Sequence, residues 1–132
     1  MTERVERGDK VLNRANSFGT LAPRSVVIVK TFLYLLRLDA RFHNNASWTS
    51  RERELVKEHF LYLQRATEAG QVIMAGRTDE AFDQTFGLVI FEAVDQGAAQ
   101  AFMAADPAIA MGVMTASLHP YSIALLRGVP LD

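Results

Sequence analysis

Apolar residues gather in four short runs, with helical stripes between them. The first run, Val26 to Leu36, is β-branched and aromatic, a composition that favours a strand. Both of its alternating sets are apolar: Val26, Ile28, Phe32, Tyr34 and Leu36 on one side, Val27, Val29, Leu33 and Leu35 on the other. A strand patterned this way is expected to be buried on both faces. A polar loop, Asp39 to Ser47, follows. Thr49 and Glu52 then have the spacing of a capping box, which predicts a helix from about Ser50 to Ala69. Leu55, Val56, Phe60, Leu63 and Ala66 fall on one stripe of it, and Gly70 suits the left-handed position after its end. Gln71 to Ala75 reads as a second strand, Gly76 to Thr85 as a charged turn, and Phe86 to Ala93 as a third strand, again apolar on both faces. Asp95 is placed to cap a short second helix with Ala98, Ala101, Phe102 and Ala105 on its small-residue face, and Pro107 ends it. Val113 to Ile123 reads as a fourth strand, in which Pro120 requires an edge position or a bulge.

The predicted order is strand, helix, strand, strand, helix, strand. It implies an α+β fold of the ferredoxin-like βαββαβ kind, with a four-stranded antiparallel sheet. Two helices cover one face of such a sheet, and the other face is apolar too. The expected cover is a second copy of the chain, giving a homodimer through sheet faces; the alternative is the N-terminal segment folding over that face. Residues 1–25 are charged and rich in turn formers and read as an arm outside the core, leaving residues 26–132 as the domain.

Composition narrows the function. The chain has 132 residues, 49% hydrophobic and 22% charged, which is one globular domain with a high apolar share for its size. It contains no cysteine, which removes disulfides, thiolate metal sites and cysteine nucleophiles. A net charge of −1 argues against general nucleic-acid binding. Lys30 and Arg37 interrupt the longest apolar run, so no membrane span is expected. The first ten residues carry Glu3, Arg4, Glu6, Arg7, Asp9 and Lys10 in place of a secretory signal, which makes the cytoplasm the default location.

Few residues remain to carry chemistry. His59 lies between Leu55 and Val56 on the helix wheel and close to Leu63, so it points inward. Histidine changes charge near neutral pH and moves protons when a carboxylate orients its ring; the alternative is a hydrogen-bonded core histidine. Asp106 precedes Pro107, where an aspartate also serves as a helix stop or cap. His119-Pro120-Tyr121 either lines the same pocket as His59 or makes a strand-end turn, and His43 reads as a solvated loop residue. The three histidines lack zinc-ligand spacing, and no GxGxxG, P-loop or GxSxG motif is present, so neither a metal nor a cofactor is expected.

Several of these segments together resemble one family. Glu58-His59-Phe60-Leu61-Tyr62-Leu63, Gly70 to Gly76, Gly87 to Ala93, Ala104-Ala105-Asp106-Pro107 and Gly112-Val113 are similar, in order and spacing, to the YCII-related proteins over roughly residues 26–124. The resemblance implies a ferredoxin-like fold assembled as a dimeric α/β barrel. It also implies that His59 and Asp106 act together as an acid–base pair on a small molecule, without a cofactor. Dehalogenating, lyase-type or lactone-isomerising chemistry on ring-hydroxylated or muconate-type compounds is the implied reaction class. A non-catalytic binding or sensing dimer and a cofactor-free monooxygenase of related fold are the alternatives. The chain departs from the family pattern in its N-terminal arm, in a longer loop from Asp39 to Ser50, and at Arg77, where proline often follows the matching glycine. Arg77 either binds an anionic substrate or is a solvated turn residue.

Overall fold

The computed structural model describes residues 28–128. The expected arm, the first two residues of the expected first strand, and residues 129–132 lie outside the described residues. Strand β1 spans Lys30–Leu38 and helix α1 Ser50–Glu68. Strands β2 and β3 span Val72–Arg77 and Gly87–Ala93. Helix α2 spans Gln96–Ala104, a one-turn helix α3 spans Pro107–Ala110, and strand β4 spans Met114–Pro120. The sheet order is β2-β3-β1-β4 with every pair antiparallel, the ferredoxin-like arrangement the sequence order implies. Pro120 is the last residue of an edge strand, where its missing N–H costs no ladder bond.

The register shows which side chains share a face. Phe32 lies opposite Phe91 and Pro120, Tyr34 opposite Val89 and Leu118, and Leu36 opposite Gly87 and Ala116. These rows lie under the helices and form the core with Leu63, Val72, Ala99 and Met103. Phe91 and Phe102 pack with ring centroids 4.7 Å apart, and the Tyr34 ring meets Phe91 edge-on at 5.6 Å. A smaller cluster of Phe42, Leu55 and Val113 closes the end of the domain near the loop after β1.

Local signals explain α1. The Thr49 side chain accepts from the Arg51 N–H while Glu52 accepts from the Thr49 N–H, so the expected capping box is formed. Gly70 follows the helix at φ +87°, a conformation that costs glycine little and other residues much.

Several expectations shift. The first strand runs two residues further than expected, to Leu38, and β4 stops at Pro120, short of Ile123. Gly76 and Arg77 belong to β2 because they pair with Leu88 and Gly87, so the charged turn begins at Thr78. The loop after β1 holds two 3-10 turns, capped by Asp39 and Asn44. In α2 the buried face is Ala99 and Met103 with half-buried Phe102, whereas Ala98, Ala101 and Ala105 are exposed. Phe60, expected on the core stripe, is 63% exposed, because it borders a cavity where Leu63, on the same helix, packs into the core. His43 is half-buried, its Nε2 3.0 Å from the Leu38 carbonyl, and not simply solvated. Within one chain the second face of β1 is only half-covered: Leu33 and Leu35 are partly accessible.

Candidate functional site

His59 stands one turn after Leu55 and one turn before Leu63, both buried, so the helix stripe carries its ring toward the interior. Asp106 is positioned by backbone. It lies between α2 and α3 with an extended conformation (φ −61°, ψ 124°), its N–H bonds the Met103 carbonyl, and Pro107 follows as the first residue of α3. Its Oδ1 accepts from the Ala108 N–H at 3.0 Å, so the expected capping role is present. The same carboxylate also meets His59: Nδ1 lies 2.7 Å from Oδ1 and 2.8 Å from Oδ2. The two sequence candidates are therefore brought together, and Asp106 both caps α3 and contacts His59.

A third member was not singled out from sequence. Tyr34, in the middle of β1, donates its hydroxyl to Asp106 Oδ2 at 2.8 Å. Tyr34 and Asp106 are both 0% exposed, and the His59 side chain is 14% exposed. Burial, and then the neighbouring Asp106 charge, push the Tyr34 hydroxyl far above the ordinary tyrosine range, so it stays protonated and donates. Tyr62 is also pushed up, by burial and by Asp106, and donates to the Phe102 carbonyl at 2.8 Å. The signal for Tyr34 was readable: a hydroxyl at the centre of an otherwise apolar strand needs a buried partner.

The donor count assigns protonation. An ionised carboxylate only accepts, and Asp106 receives the Tyr34 O–H, the Ala108 N–H and the proton on His59 Nδ1. His59 therefore carries a hydrogen on Nδ1 in both its neutral and charged forms. Nε2 has no hydrogen-bond partner among the described residues. A buried carboxylate holding an imidazole in one tautomer is the orienting element of known acid–base and nucleophile-activating sites.

His59 borders a cavity of about 810 Å³ between α1, the ends of β1–β3 and the turn after β2. That volume suits a small organic ligand. Its floor is apolar, with Leu36, Leu63, Val89 and Met114, and Trp48, Phe82 and Phe86 stand around it. Trp48 packs on Phe82 at 5.6 Å and donates from Nε1 to the Phe42 carbonyl at 3.0 Å. The charged lining residues are Arg37, Arg77, Glu68 and Glu80.

Of the other sequence candidates, Arg77 borders this cavity. His119 and Tyr121 do not. His119 lies on β4 opposite Leu33, on the face away from the helices, and is hydrogen-bonded to Ser117 at 2.9 Å. Tyr121 follows the end of β4 and is exposed, its N–H donated to the Thr31 carbonyl. The strand-end reading holds for both, because the register turns His119 to the uncovered face. Among the described residues no three His, Asp or Glu side chains form a group able to hold a metal ion, and no helix is long and apolar enough to cross a membrane.

No curated protein matches the chain significantly. A family-model comparison matches residues 37–118 to the YCII-related domain. The matched stretch contains both His59 and Asp106, and it takes in more than half of the chain; the protein belongs to the YCII-related family.

Proposed function

We propose that the protein is a cofactor-independent enzyme acting on a small molecule bound in the cavity, with His59 as the proton-transfer residue and Asp106 as its orienting partner. One observation carries this reading: a buried carboxylate fixes Nδ1 of a histidine whose ring borders an apolar cavity. With Nδ1–H bound to Asp106, neutral His59 offers the Nε2 lone pair to an acidic C–H or O–H of the ligand. The resulting imidazolium is stabilised by the carboxylate behind it and returns the proton at a second atom of the ligand, or to the departing group. Isomerisation and elimination, including loss of a halide, both follow from that sequence.

The test is turnover of a panel of hydroxyaromatic and lactone substrates by the wild type and by His59→Ala. Loss of about 10²–10⁴-fold in rate in the variant, with ligand affinity kept, is the expected result. A variant that turns over as fast as the wild type eliminates His59, and binding without turnover in the wild type leaves the binding or sensing function.

The assembly belongs to the same proposal. Leu33 lies opposite Ile90, Leu35 opposite Leu88, and Met74 opposite Ile90 on the sheet face that carries no helix, and Met74 is 52% exposed. A second copy covering this face gives a homodimer through the two sheets. Light scattering on the wild type and on Leu35→Glu checks it: dimer mass for the first, monomer mass for the second. A monomeric wild type ends the dimer reading.

A further inference from the structure

We propose that the cavity is a slot along α1, walled at one end by Trp48 and open at the other, and that it takes an elongated, uncharged ligand. The ligand's polar head lies beside His59 against Trp48, and its apolar tail runs toward the end of the helix. The proposal rests on the acid–base reading for what happens at the head; the shape of the slot and the part Trp48 plays in it stand without that reading.

The helix sets the long axis. Val56, His59, Phe60, Leu63, Gln64, Thr67 and Glu68 all border the cavity, and their spacing of three and four residues puts them on one face of α1. At about 1.5 Å per residue, that face is about 18 Å long from Val56 to Glu68. His59 lies about 4–5 Å from its Val56 end and about 13–14 Å from its Glu68 end. A proton moved at His59 is thus moved near one end of the slot.

The two ends are built differently. Trp48 precedes the cap of α1, and with Leu38 and Val56 it packs on the Phe42, Leu55 and Val113 cluster. Its indole is fixed from three directions. Nε1 donates to the Phe42 carbonyl at 3.0 Å, the Phe42 ring meets it edge-on at 5.9 Å, and Phe82 packs on it at 5.6 Å from the turn after β2. The single donor is thereby used, so Trp48 offers a ligand only ring surface. At the far end Gln64, Thr67 and Glu68 are exposed. Ala75, which its pairing with Val89 puts on the helix-covered side of the sheet, contributes there only a methyl group. The Thr67 hydroxyl is donated to the Leu63 carbonyl at 2.7 Å and makes no demand on a tail passing it.

These differences define the ligand. The head is polar because Nε2 of His59 has no hydrogen-bond partner among the described residues, and a hydroxyl or an acidic C–H satisfies it. The tail is apolar because it passes Phe60 and Leu63. The four charged lining residues, Arg37, Arg77, Glu68 and Glu80, balance in number and are all exposed, so they favour neither sign of charge. Trp48 stops the chain at the head, and a longer or branched molecule finds room only at the tail. Trp48 is thus a specificity-determining residue: it sets which atoms of the ligand stand at His59.

The experiment compares two isomeric alcohols of equal apolar content, 2,2-dimethyl-1-octanol, branched at the head, and 7,7-dimethyl-1-octanol, branched at the tail. Each displaces N-phenyl-1-naphthylamine, an uncharged dye that brightens in apolar surroundings and needs no tryptophan as reporter. The wild type is expected to bind the tail-branched isomer about tenfold more tightly, because overpacking against a fixed wall is costly. Trp48→Leu should narrow the ratio to about twofold, chiefly by improving the head-branched isomer, and Trp48→Phe should fall between. A merely structural role for Trp48 weakens both isomers alike and leaves the ratio unmoved. Equal binding of the two isomers by the wild type overturns the slot, as does a preference for the head-branched one or a dye that neither displaces; none of these needs a variant to fold. A tenfold ratio that both substitutions leave unchanged removes the part given to Trp48. Turnover by His59→Ala is scored separately: undiminished turnover there ends the acid–base role, while the tenfold ratio in the wild type keeps the slot.

Discussion

The two ends of the cavity are built on opposite terms. At the inner end Tyr34, Asp106 and His59 form a closed set: every donor facing the carboxylate is used, and two of the three side chains have no contact with water. At the mouth, Arg77, Glu68, Glu80 and Phe60 are exposed, and contacts such as Trp48 on Phe82 join a loop to a turn. The inner end has one arrangement because a displaced partner leaves a buried polar group unsatisfied. The mouth pays no such penalty and can change residue by residue. Under the proposed function that difference divides the labour: the interior would fix where a proton moves, and the rim would choose the molecule that presents it.

The largest expected effect comes from opening the closed end. Asp106→Ala leaves the Tyr34 hydroxyl, the Ala108 N–H and the His59 ring without their acceptor, at a cost of about 3 kcal/mol or more. Urea unfolding measures this, and turnover should be lost with it. Asp106→Asn keeps the shape and removes the charge, costing about 1–2 kcal/mol. A variant as stable as the wild type would show that the network is not what holds this end together.

Tyr34→Phe is milder, because Asp106 keeps two of its three donors. The expected cost is about 1 kcal/mol, measured by the same unfolding curves. Tyr34 does not line the cavity and, under the proposed function, acts as a positioning residue, so kcat should fall with KM unchanged. A rise in KM alone would place Tyr34 at the ligand and break the distinction between the two ends.

Legibility followed the same division. The capping box at Thr49 and Glu52, the glycine after α1 and the apolar strand runs are local patterns, and each appears where the sequence puts it. His59 was readable because helical spacing from Leu55 to Leu63 fixes its direction. Asp106 was half-readable. A cap explains an aspartate before proline, and only the fold brings it to His59 across 47 residues of sequence. The Phe60 and α2 expectations failed because a helix wheel does not know where its neighbours end: Phe60 overhangs a cavity, and α2 turns Ala99 and Met103 inward. His119 failed for a related reason. Strand alternation puts it on the face opposite the one that carries the site, and only the register with Leu33 says which face that is.

The smallest effect, and the one that most sharpens the contrast, is acid lability confined to the mouth side. Two carboxyls beside the Trp48 segment, which borders the mouth, sit below the ordinary carboxylate range: Asp39, chiefly through its hydrogen bonds from Arg41, and Glu52, chiefly through those from Thr49. For a carboxyl depressed in the folded state, the stabilising contribution is present above the unfolded value, near pH 4, and is lost as pH falls through the lower folded value. Asp39 caps the turn that leads to Trp48, and Glu52 ties the first turn of α1 to Thr49, the residue after Trp48. Acidification from pH 5 toward pH 3 should therefore loosen the Trp48 segment first. Trp48 emission should shift to the red while the near-ultraviolet dichroism of the buried tyrosines stays unchanged, and Thr49→Ala should bring the emission change to higher pH. If both signals instead move together along a single transition in each protein, the mouth and the interior unfold as one unit, and the independence ascribed to the rim is lost.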